Sequence, residues 1–226
     1  MEGQTLHGQH IKLINQSQFD ENLSWQWLSS SNLKSETEGF LIAAQDQALK
    51  TKYYSKKILG QDCDSKCRIC HVGDEIMAHL LSGCPVLAAT EYIWRHDRID
   101  KYIHLQMCKE FNIETTTDKW YEHQPPDVVE NEEVSILWDM PIHTDREIKC
   151  NRPDMVVKNK SDKSCLIIDF AVPCDHNVAQ KEREKLQKYH DLKLEIERMR
   201  HTKAEIVPNV IGATGCLLYT SDAADD

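Results

Sequence analysis

The stretch from Arg152 to Tyr189 decides how this sequence is interpreted. Its first two segments are β-like and each carries one aspartate, while the third is typical of a lysine-rich helix. Two carboxylates that meet at a sheet edge suit a hard divalent cation such as Mg²⁺, and a nearby lysine can stabilise charge on a phosphate. The pattern therefore favours metal-assisted phosphodiester cleavage. The segments are Arg152-Pro153-Asp154-Met155-Val156-Val157, Leu166-Ile167-Ile168-Asp169-Phe170-Ala171-Val172 and Glu182-Arg183-Glu184-Lys185-Leu186-Gln187-Lys188-Tyr189.

The sequence period changes at Val134, where strand-like patterns begin. The order β-β-β-α-β predicts a small α/β domain over residues 134–215. We expect the two acid-bearing strands to be neighbours, with Asp154 and Asp169 together at one edge. Lys185 would lie above them, and Tyr189 on the same helical face. The predicted strands are residues 134–138, 148–157, 165–172 and 206–211, the turn is 159–163, and the helix is 179–200.

Each residue of this acidic site has an alternative role. Asp169 among β-branched neighbours is costly unless it is paired or binds a metal, but it could cap the next element or pair with Arg152. In a common form of metal-dependent nuclease site a lysine lies two residues after the second acid, where this chain has Ala171. The lysine would then come from the next helix, on the face shared by Lys181, Lys185 and Lys188, although any of these could be a solvated charge.

An upstream cluster of cysteine and histidine predicts a zinc site. Cys67 and Cys70 are separated by two residues, so one turn can present both thiolates to a single ion. His79 and Cys84 would complete a tetrahedral Cys₃His set that suits Zn²⁺. Cys63 and His71 are spare donors nearby, and a coincidence in a cysteine-rich chain is the alternative.

Composition sets limits on the class of protein. The chain has 226 residues, nine cysteines and a net charge of −10. No signal peptide precedes the cysteines, so a reducing compartment and metal binding are favoured over disulfides. No run of about 18 apolar residues is present, so no membrane contact is predicted. The negative charge argues mildly against a nucleic-acid partner.

The C-terminal residues 216–226 differ from the rest. They resemble the translation of a sequencing-library adaptor, and a genuine acidic tail is the alternative. On the first interpretation the residues after Gly215 should pack against nothing, including Leu217, Leu218 and Tyr219.

Taken in order, the motifs of the chain resemble the C-terminal region of non-LTR retrotransposon reverse transcriptases of the site-specific class, which carry a restriction-like endonuclease. The resemblance covers about residues 20–215. The matching segments are Thr37-Glu38-Gly39-Phe40-Leu41 with Ala44-Gln45-Asp46-Gln47, the set Cys67, Cys70, His79 and Cys84, Arg95-His96-Asp97, Leu137-Trp138-Asp139, Arg152-Pro153-Asp154, Ile168-Asp169, and Glu184-Lys185 with Lys188-Tyr189.

The resemblance implies a division of the chain. Residues 1–62 would be a helical linker after a polymerase thumb, residues 63–88 a zinc knuckle, and residues 89–133 a helix and linker. Residues 134–215 would be a restriction-endonuclease-like β-β-β-α-β domain. The polymerase palm, with its paired aspartates, is absent from this sequence.

The resemblance also implies roles for individual residues. Asp154 and Asp169 would bind Mg²⁺, Lys185 would be the displaced catalytic lysine and Tyr189 would support it, so Ala171 is no objection. Nucleic acid would be held by the knuckle and by Arg95, His96 and Asp97, and we predict Lys181 and Lys188 as further nucleic-acid contacts. Read alone, Arg95 to Asp97 is a helix-surface triplet.

The predicted function is Mg²⁺-dependent nicking of target DNA in the nucleus. In the family the freed 3′ hydroxyl then primes reverse transcription of the element RNA. The alternative is a catalytically inactive or domesticated nucleic-acid-binding remnant, and a third possibility is a zinc-stabilised protein-interaction domain. The retained acids favour the enzyme, whereas the missing polymerase and the net charge of −10 favour the remnant.

Overall fold

A computed structural model describes residues 8–16 and 19–218, and these form two compact units. The second unit consists of Trp94–Ala171 and Gln180–Asn209. It takes in most of the predicted nuclease domain together with the long helix before it. The described part of the first unit comprises residues 8–16, 19–93, 172–179 and 210–218.

Short helices make up most of the first unit. Two begin at side chains that satisfy free backbone donors, since Asp20 accepts the Leu23 N–H at 2.9 Å and Thr51 accepts the Tyr54 N–H at 3.1 Å. The elements are α1 (Gln9–Ile14), α2 (Glu21–Ser30), α3 (Ser35–Gln45), α4 (Lys52–Lys57), a π-helical turn (His79–Gly83), α5 (Pro85–Ala88) and a 3₁₀ turn (Asp175–Asn177).

A five-stranded sheet forms the centre of the second unit and confirms the predicted α/β class. Strand order follows chain order, and the first four strands pair antiparallel in succession: β1 with β2, β2 with β3 and β3 with β4. The strands are β1 (Val128–Glu130), β2 (Val134–Trp138), β3 (Met155–Asn159), β4 (Ser164–Ala171) and β5 (Lys203–Val210). Three helices have most of their length in this unit: α6 (Glu91–Glu110), α7 (Val178–Lys188) and α8 (His190–Arg200).

Alternating side chains bury both faces of the sheet. Met155 and Ile168 belong to one core cluster with Cys108 of α6, whereas Val156 belongs to another with Leu192 of α8. Successive side chains on a strand point to opposite faces, so the sheet lies between two helical layers. Each fully buried aliphatic side chain here contributes about 1.5–3 kcal/mol.

The hairpin of β3 and β4 forms as predicted. Met155 pairs with Ile168, and the strands are joined through residues 160–163. Lys163 adopts a left-handed conformation, with φ of 51°, as the chain turns into β4. Continuing this register one step places Asp154 opposite Asp169, at the end of the hairpin away from its turn.

The predicted strand over residues 148–157 is shorter than expected. β3 begins only at Met155. Pro153 has no N–H to donate to a ladder, and Arg152 turns its side chain to Asp139 at 2.8 Å. The segment before β3 is therefore irregular.

The predicted single helix over residues 179–200 is wrong. It is divided into α7 and α8 at Tyr189, whose φ is −104° and ψ is 7°. The ring of Tyr189 is fully buried in the cluster that contains Ile167 and Leu192. The break thus coincides with a side chain that enters the core instead of following a helix surface.

The expectation that residues after Gly215 pack against nothing is wrong for residues 216–218. Cys216 is fully buried, the Leu217 N–H donates to Ser24 Oγ at 3.1 Å, and the Asp20 N–H donates to the Leu217 carbonyl at 2.9 Å. These short apolar residues pair their backbone groups with the first unit, which offsets the cost of burying them. Tyr219 and the remainder of the tail lie outside the described residues.

No helix within residues 8–16 and 19–218 combines the length and the apolar character needed to cross a membrane.

Candidate functional sites

In the first unit, the predicted zinc ligands converge. The ligand atoms of Cys67, Cys70, His79 and Cys84 all lie within 4.8 Å of one another, and Cys70 Sγ is 3.2 Å from His79 Nε2. Two sulfurs held tetrahedrally at about 2.3 Å from zinc would be about 3.8 Å apart, so the set fits that ion. The four residues could therefore hold a metal such as zinc.

The local fold fixes these ligands from several directions. The π-helical turn begins at His79 and ends just before Cys84. Gly73 lies against the His79 ring, because a Cβ at this position would be 2.8 Å from His79 Nδ1. The Tyr92 hydroxyl accepts the Cys84 N–H at 3.1 Å and lies 3.0 Å from the His79 carbonyl.

A buried glutamate, paired with an exposed arginine, stabilises the loop that carries the first two cysteines. Glu75 is 1% exposed and binds Arg68 through two contacts of 2.6 and 2.8 Å. It also accepts the backbone N–H groups of Arg68 and Lys52 at 2.9 Å. The Arg68 guanidinium lowers the pKa of Glu75 to about 2, although burial opposes this. Glu75 thus stays ionised and fixes the loop.

The cysteine environment already favours a thiolate. Backbone N–H groups of Val72 and Gly73, followed by His79, lower the pKa of Cys70 to about 6. A thiolate is the form that binds metal. Cys63 and His71 are not members of the cluster. The Cys63 Sγ lies 3.9 Å from the Lys52 carbonyl.

In the second unit, the two predicted acids are neighbours. Asp154 ends the irregular segment before β3, and Asp169 lies in β4. The Asp154 Oδ2 accepts the N–H of Phe170, the residue after Asp169, at 2.7 Å. Asp169 is 1% exposed and Asp154 is 24% exposed. The pair therefore has one deeply buried carboxylate and one that solvent reaches.

Three side chains from α7 and its C-terminal break surround Asp169. Lys185 donates to its Oδ2 and, at 2.9 Å, to the Phe170 carbonyl. Lys188 Nζ lies 3.5 Å from Oδ1. The Tyr189 hydroxyl donates to Oδ1 at 2.5 Å and lies 3.1 Å from the Arg152 carbonyl. Burial, together with the Asp169 charge, raises the pKa of Tyr189, so its hydroxyl remains a donor.

Asp154 has a partner on α6. His96 Nε2 lies 3.5 Å from its Oδ2, and His96 Nδ1 lies 3.3 Å from Asp97. The hydrogen bond to Asp154 raises the pKa of His96 to about 9. Burial would raise the pKa of Asp154, but His96 and the Phe170 N–H outweigh it, and the pKa is lowered. The pair is an imidazolium and a carboxylate at neutral pH.

One residue near the acids was missed by the sequence analysis. Asp100 follows His96 by one helical turn on α6, is 4% exposed, and its Oδ1 has no hydrogen-bond partner among the described residues. Burial and the Asp154 charge raise the pKa of Asp100 to about 8. The signal in the sequence was the spacing of four between His96 and Asp100, which puts both on one helical face.

The alternative in which Asp169 pairs with Arg152 is wrong. The Arg152 guanidinium contacts the Asp139 carboxylate instead, at 2.8 and 2.9 Å. Asp169 is instead bound by cationic and hydroxyl groups of the following helix.

The remaining predicted contacts are scattered. Lys181 pairs with Glu184 at 2.7 Å on the exposed face of α7, so it is not in contact with the acids. Arg95 is half-buried on α6. Of the predicted nucleic-acid residues, His96 contacts Asp154 and Lys188 contacts Asp169.

Comparison with known proteins does not identify the chain further. No protein-family model matches it, and a search of curated proteins found no match. The resemblance to retrotransposon endonucleases therefore stays a prediction based on motif order.

Proposed function

We propose that the second unit is a divalent-metal-dependent endonuclease that nicks DNA. The observation that carries this proposal is the meeting of Asp154, Asp169, Lys185 and Tyr189. Two carboxylates, a lysine and a buried hydroxyl from three different elements are a donor set for hard-cation phosphodiester chemistry. The order of the motifs, which resembles that of retrotransposon endonucleases, supports the choice of DNA as substrate.

Asp154 and Asp169 would hold Mg²⁺. The fit rests on donor chemistry, because both are carboxylates and Oδ1 of a third aspartate, Asp100, has no hydrogen-bond partner among the described residues. Mg²⁺, when bound, supplies Lewis-acid activation of a water and neutralises phosphate charge. Lys185 lies against Asp169 and His96 against Asp154, and these contacts support the proposal that the acid pair attracts positive charge.

Lys185 would stabilise the charge that develops on the phosphate. Its side chain is 16% exposed and is positioned by the Phe170 carbonyl as well as by Asp169. A cation held in this way needs little reorganisation as the reaction proceeds, which is where electrostatic stabilisation is most effective.

Tyr189 would position the buried acid instead of reacting itself. It is fully buried, and its hydroxyl joins Asp169 to the Arg152 carbonyl. Orienting one oxygen of Asp169 leaves the carboxylate with a fixed geometry for a cation.

The metal cluster of the first unit would act as a zinc knuckle that holds nucleic acid. The nicking reaction would belong to target-primed reverse transcription in the nucleus. The element RNA would be a further partner. The family resemblance supports this part of the proposal. A folded remnant without activity is the competing hypothesis, and the net charge of −10 favours it.

A plasmid-nicking assay distinguishes the active endonuclease from the inactive remnant. The parent chain should convert plasmid to the open-circular form with Mg²⁺ and not with EDTA. Asp154→Ala should abolish nicking but retain most DNA binding, since an unmetallated carboxylate repels phosphate. Asp191→Ala, which removes an exposed acid in the first turn of α8, is the matched control and should nick normally. If Asp154→Ala nicks plasmid as fast as the parent does, the nicking activity does not come from the acidic site.

A further inference from the structure

A cluster of aromatic and basic side chains lies on a different side of α6 from His96. We call it the aromatic cleft, and it is lined by Trp94, Arg98, Lys101, Trp120, Tyr121 and His123. All six residues belong to the second unit. Trp94, Arg98 and Lys101 follow the spacing of one helical face, and the other three come from the segment after α6.

The cleft holds an arginine between two tryptophan rings. The Arg98 guanidinium carbon is 4.3 Å from the centroid of Trp94 and 4.5 Å from that of Trp120. Trp120 also meets Tyr121 edge to face at 5.8 Å. This stacking fixes flat rings beside a permanent positive charge.

These rings remain open to solvent. Trp94 is 57% exposed, Trp120 39% and Tyr121 60%, around an open cleft of about 310 Å³. Large aromatic rings grouped at a surface are typical of binding sites, whereas single exposed apolar side chains are ordinary. The cleft therefore has room and surface for a flat ligand.

The charges of the cleft favour an anionic ligand. Within residues 8–16 and 19–218 no carboxylate lies within ion-pair distance of Arg98, and the Lys101 Nζ binds the neutral Gln124 side chain at 2.9 Å. The one acid that lines the cleft, Asp97, contacts His96. Two cations thus face the ligand without a carboxylate partner.

A buried polar group also borders the cleft. His123 is 2% exposed, and its Nδ1 has no hydrogen-bond partner among the described residues. Its other nitrogen contacts His104 at 2.9 Å. Burial and the Lys101 charge lower the pKa of His123, which favours the neutral ring. Its Nδ1 is then available to form a hydrogen bond with a ligand.

We propose that the aromatic cleft binds an unpaired stretch of DNA, with a base stacked on the Trp94 or Tyr121 ring and a phosphate beside Arg98 and Lys101. Aromatic rings interleaved with cations are the usual means of holding single strands, because every base offers a π-face. A duplex cannot use the rings in this way, since its bases are already stacked on one another. The choice of DNA rests on the proposed nicking function.

The test is binding of fluorescein-labelled oligo(dT) by the full chain, followed by anisotropy and by quenching of tryptophan fluorescence. Trp94→Ala and Tyr121→Ala should each weaken binding by about fivefold to a hundredfold, as expected for the loss of one stacking contact. Phe40→Ala is the matched control, because Phe40 is also 57% exposed but lies on α3 of the first unit. It should bind oligo(dT) like the parent.

The outcomes distinguish this proposal from the nuclease proposal. If oligo(dT) binding depends on Trp94 but the chain does not nick plasmid, the cleft proposal is supported and the nuclease proposal is rejected. The cleft proposal would be overturned if the parent nicked plasmid but did not bind oligo(dT). It would also be overturned if Trp94→Ala bound oligo(dT) as tightly as the parent, or if Phe40→Ala lost as much affinity as Trp94→Ala. Tighter binding of oligo(U) than of oligo(dT) would also overturn it.

Discussion

Asp169 is the residue on which the acidic site depends. It is almost fully buried, and burial of a carboxylate is costly unless charged or hydrogen-bonding groups compensate. Lys185, Lys188 and Tyr189 supply that compensation. The two lysines are not equivalent, because the Lys185 side chain is 16% exposed and that of Lys188 is 41% exposed. Lys185, the less exposed of the two, is therefore the lysine to which the proposed function assigns the chemical role.

Replacing Lys185 with glutamine should therefore slow the nicking step by a factor on the order of a hundred or more, as for loss of one electrostatic stabiliser. Lys188→Gln should cost clearly less, because its longer contact with Asp169 is more exposed to water. Single-turnover nicking at saturating Mg²⁺ measures both rates. A larger loss in Lys188→Gln than in Lys185→Gln would reverse the assignment.

Elements that depend on local sequence were the ones predicted best. The β3–β4 hairpin follows from two β-branched runs around a polar turn, and the Cys₃His cluster follows from ligand spacing alone. The break at Tyr189 was missed, because the local pattern continues through it and only a tertiary contact, the bond to Asp169, marks the position. The contact between His96 and Asp154 was missed for the same reason, since it joins segments far apart in sequence.

The Cys₃His cluster leads to a prediction at the scale of structural elements. A small element with little core of its own depends on its metal, and zinc contributes on the order of 10 kcal/mol to such folds. Purified chain should carry one zinc, and Cys84→Ser, at a fully buried ligand, should lose it and lower the unfolding temperature. Metal analysis and thermal unfolding measure these effects.

Cys63→Ser is the control for that experiment, because Cys63 lies in the same segment but outside the cluster. It should retain zinc. Zinc retained by Cys84→Ser, or lost from Cys63→Ser, would mean that the ligand set is wrong.

Across the whole molecule, the net charge of −10 opposes binding of the proposed DNA substrate, because DNA is also negatively charged. The acid pair itself adds to the negative charge, and in the second unit it is balanced by Lys185, Lys188 and His96. A bound divalent cation would reverse the local sign and allow a phosphate to approach. The account as a whole therefore depends on whether the acid pair binds such a cation.

Binding of Mn²⁺, followed by electron paramagnetic resonance on zinc-loaded protein, tests this most directly. The parent should bind one Mn²⁺ per chain, competed by Mg²⁺, with Asp154→Asn and Asp169→Asn each losing the site and Asp191→Asn retaining it. Circular dichroism confirms that the variants fold. Absence of Mn²⁺ binding by the parent, or binding unchanged in both Asp154→Asn and Asp169→Asn, would contradict the account.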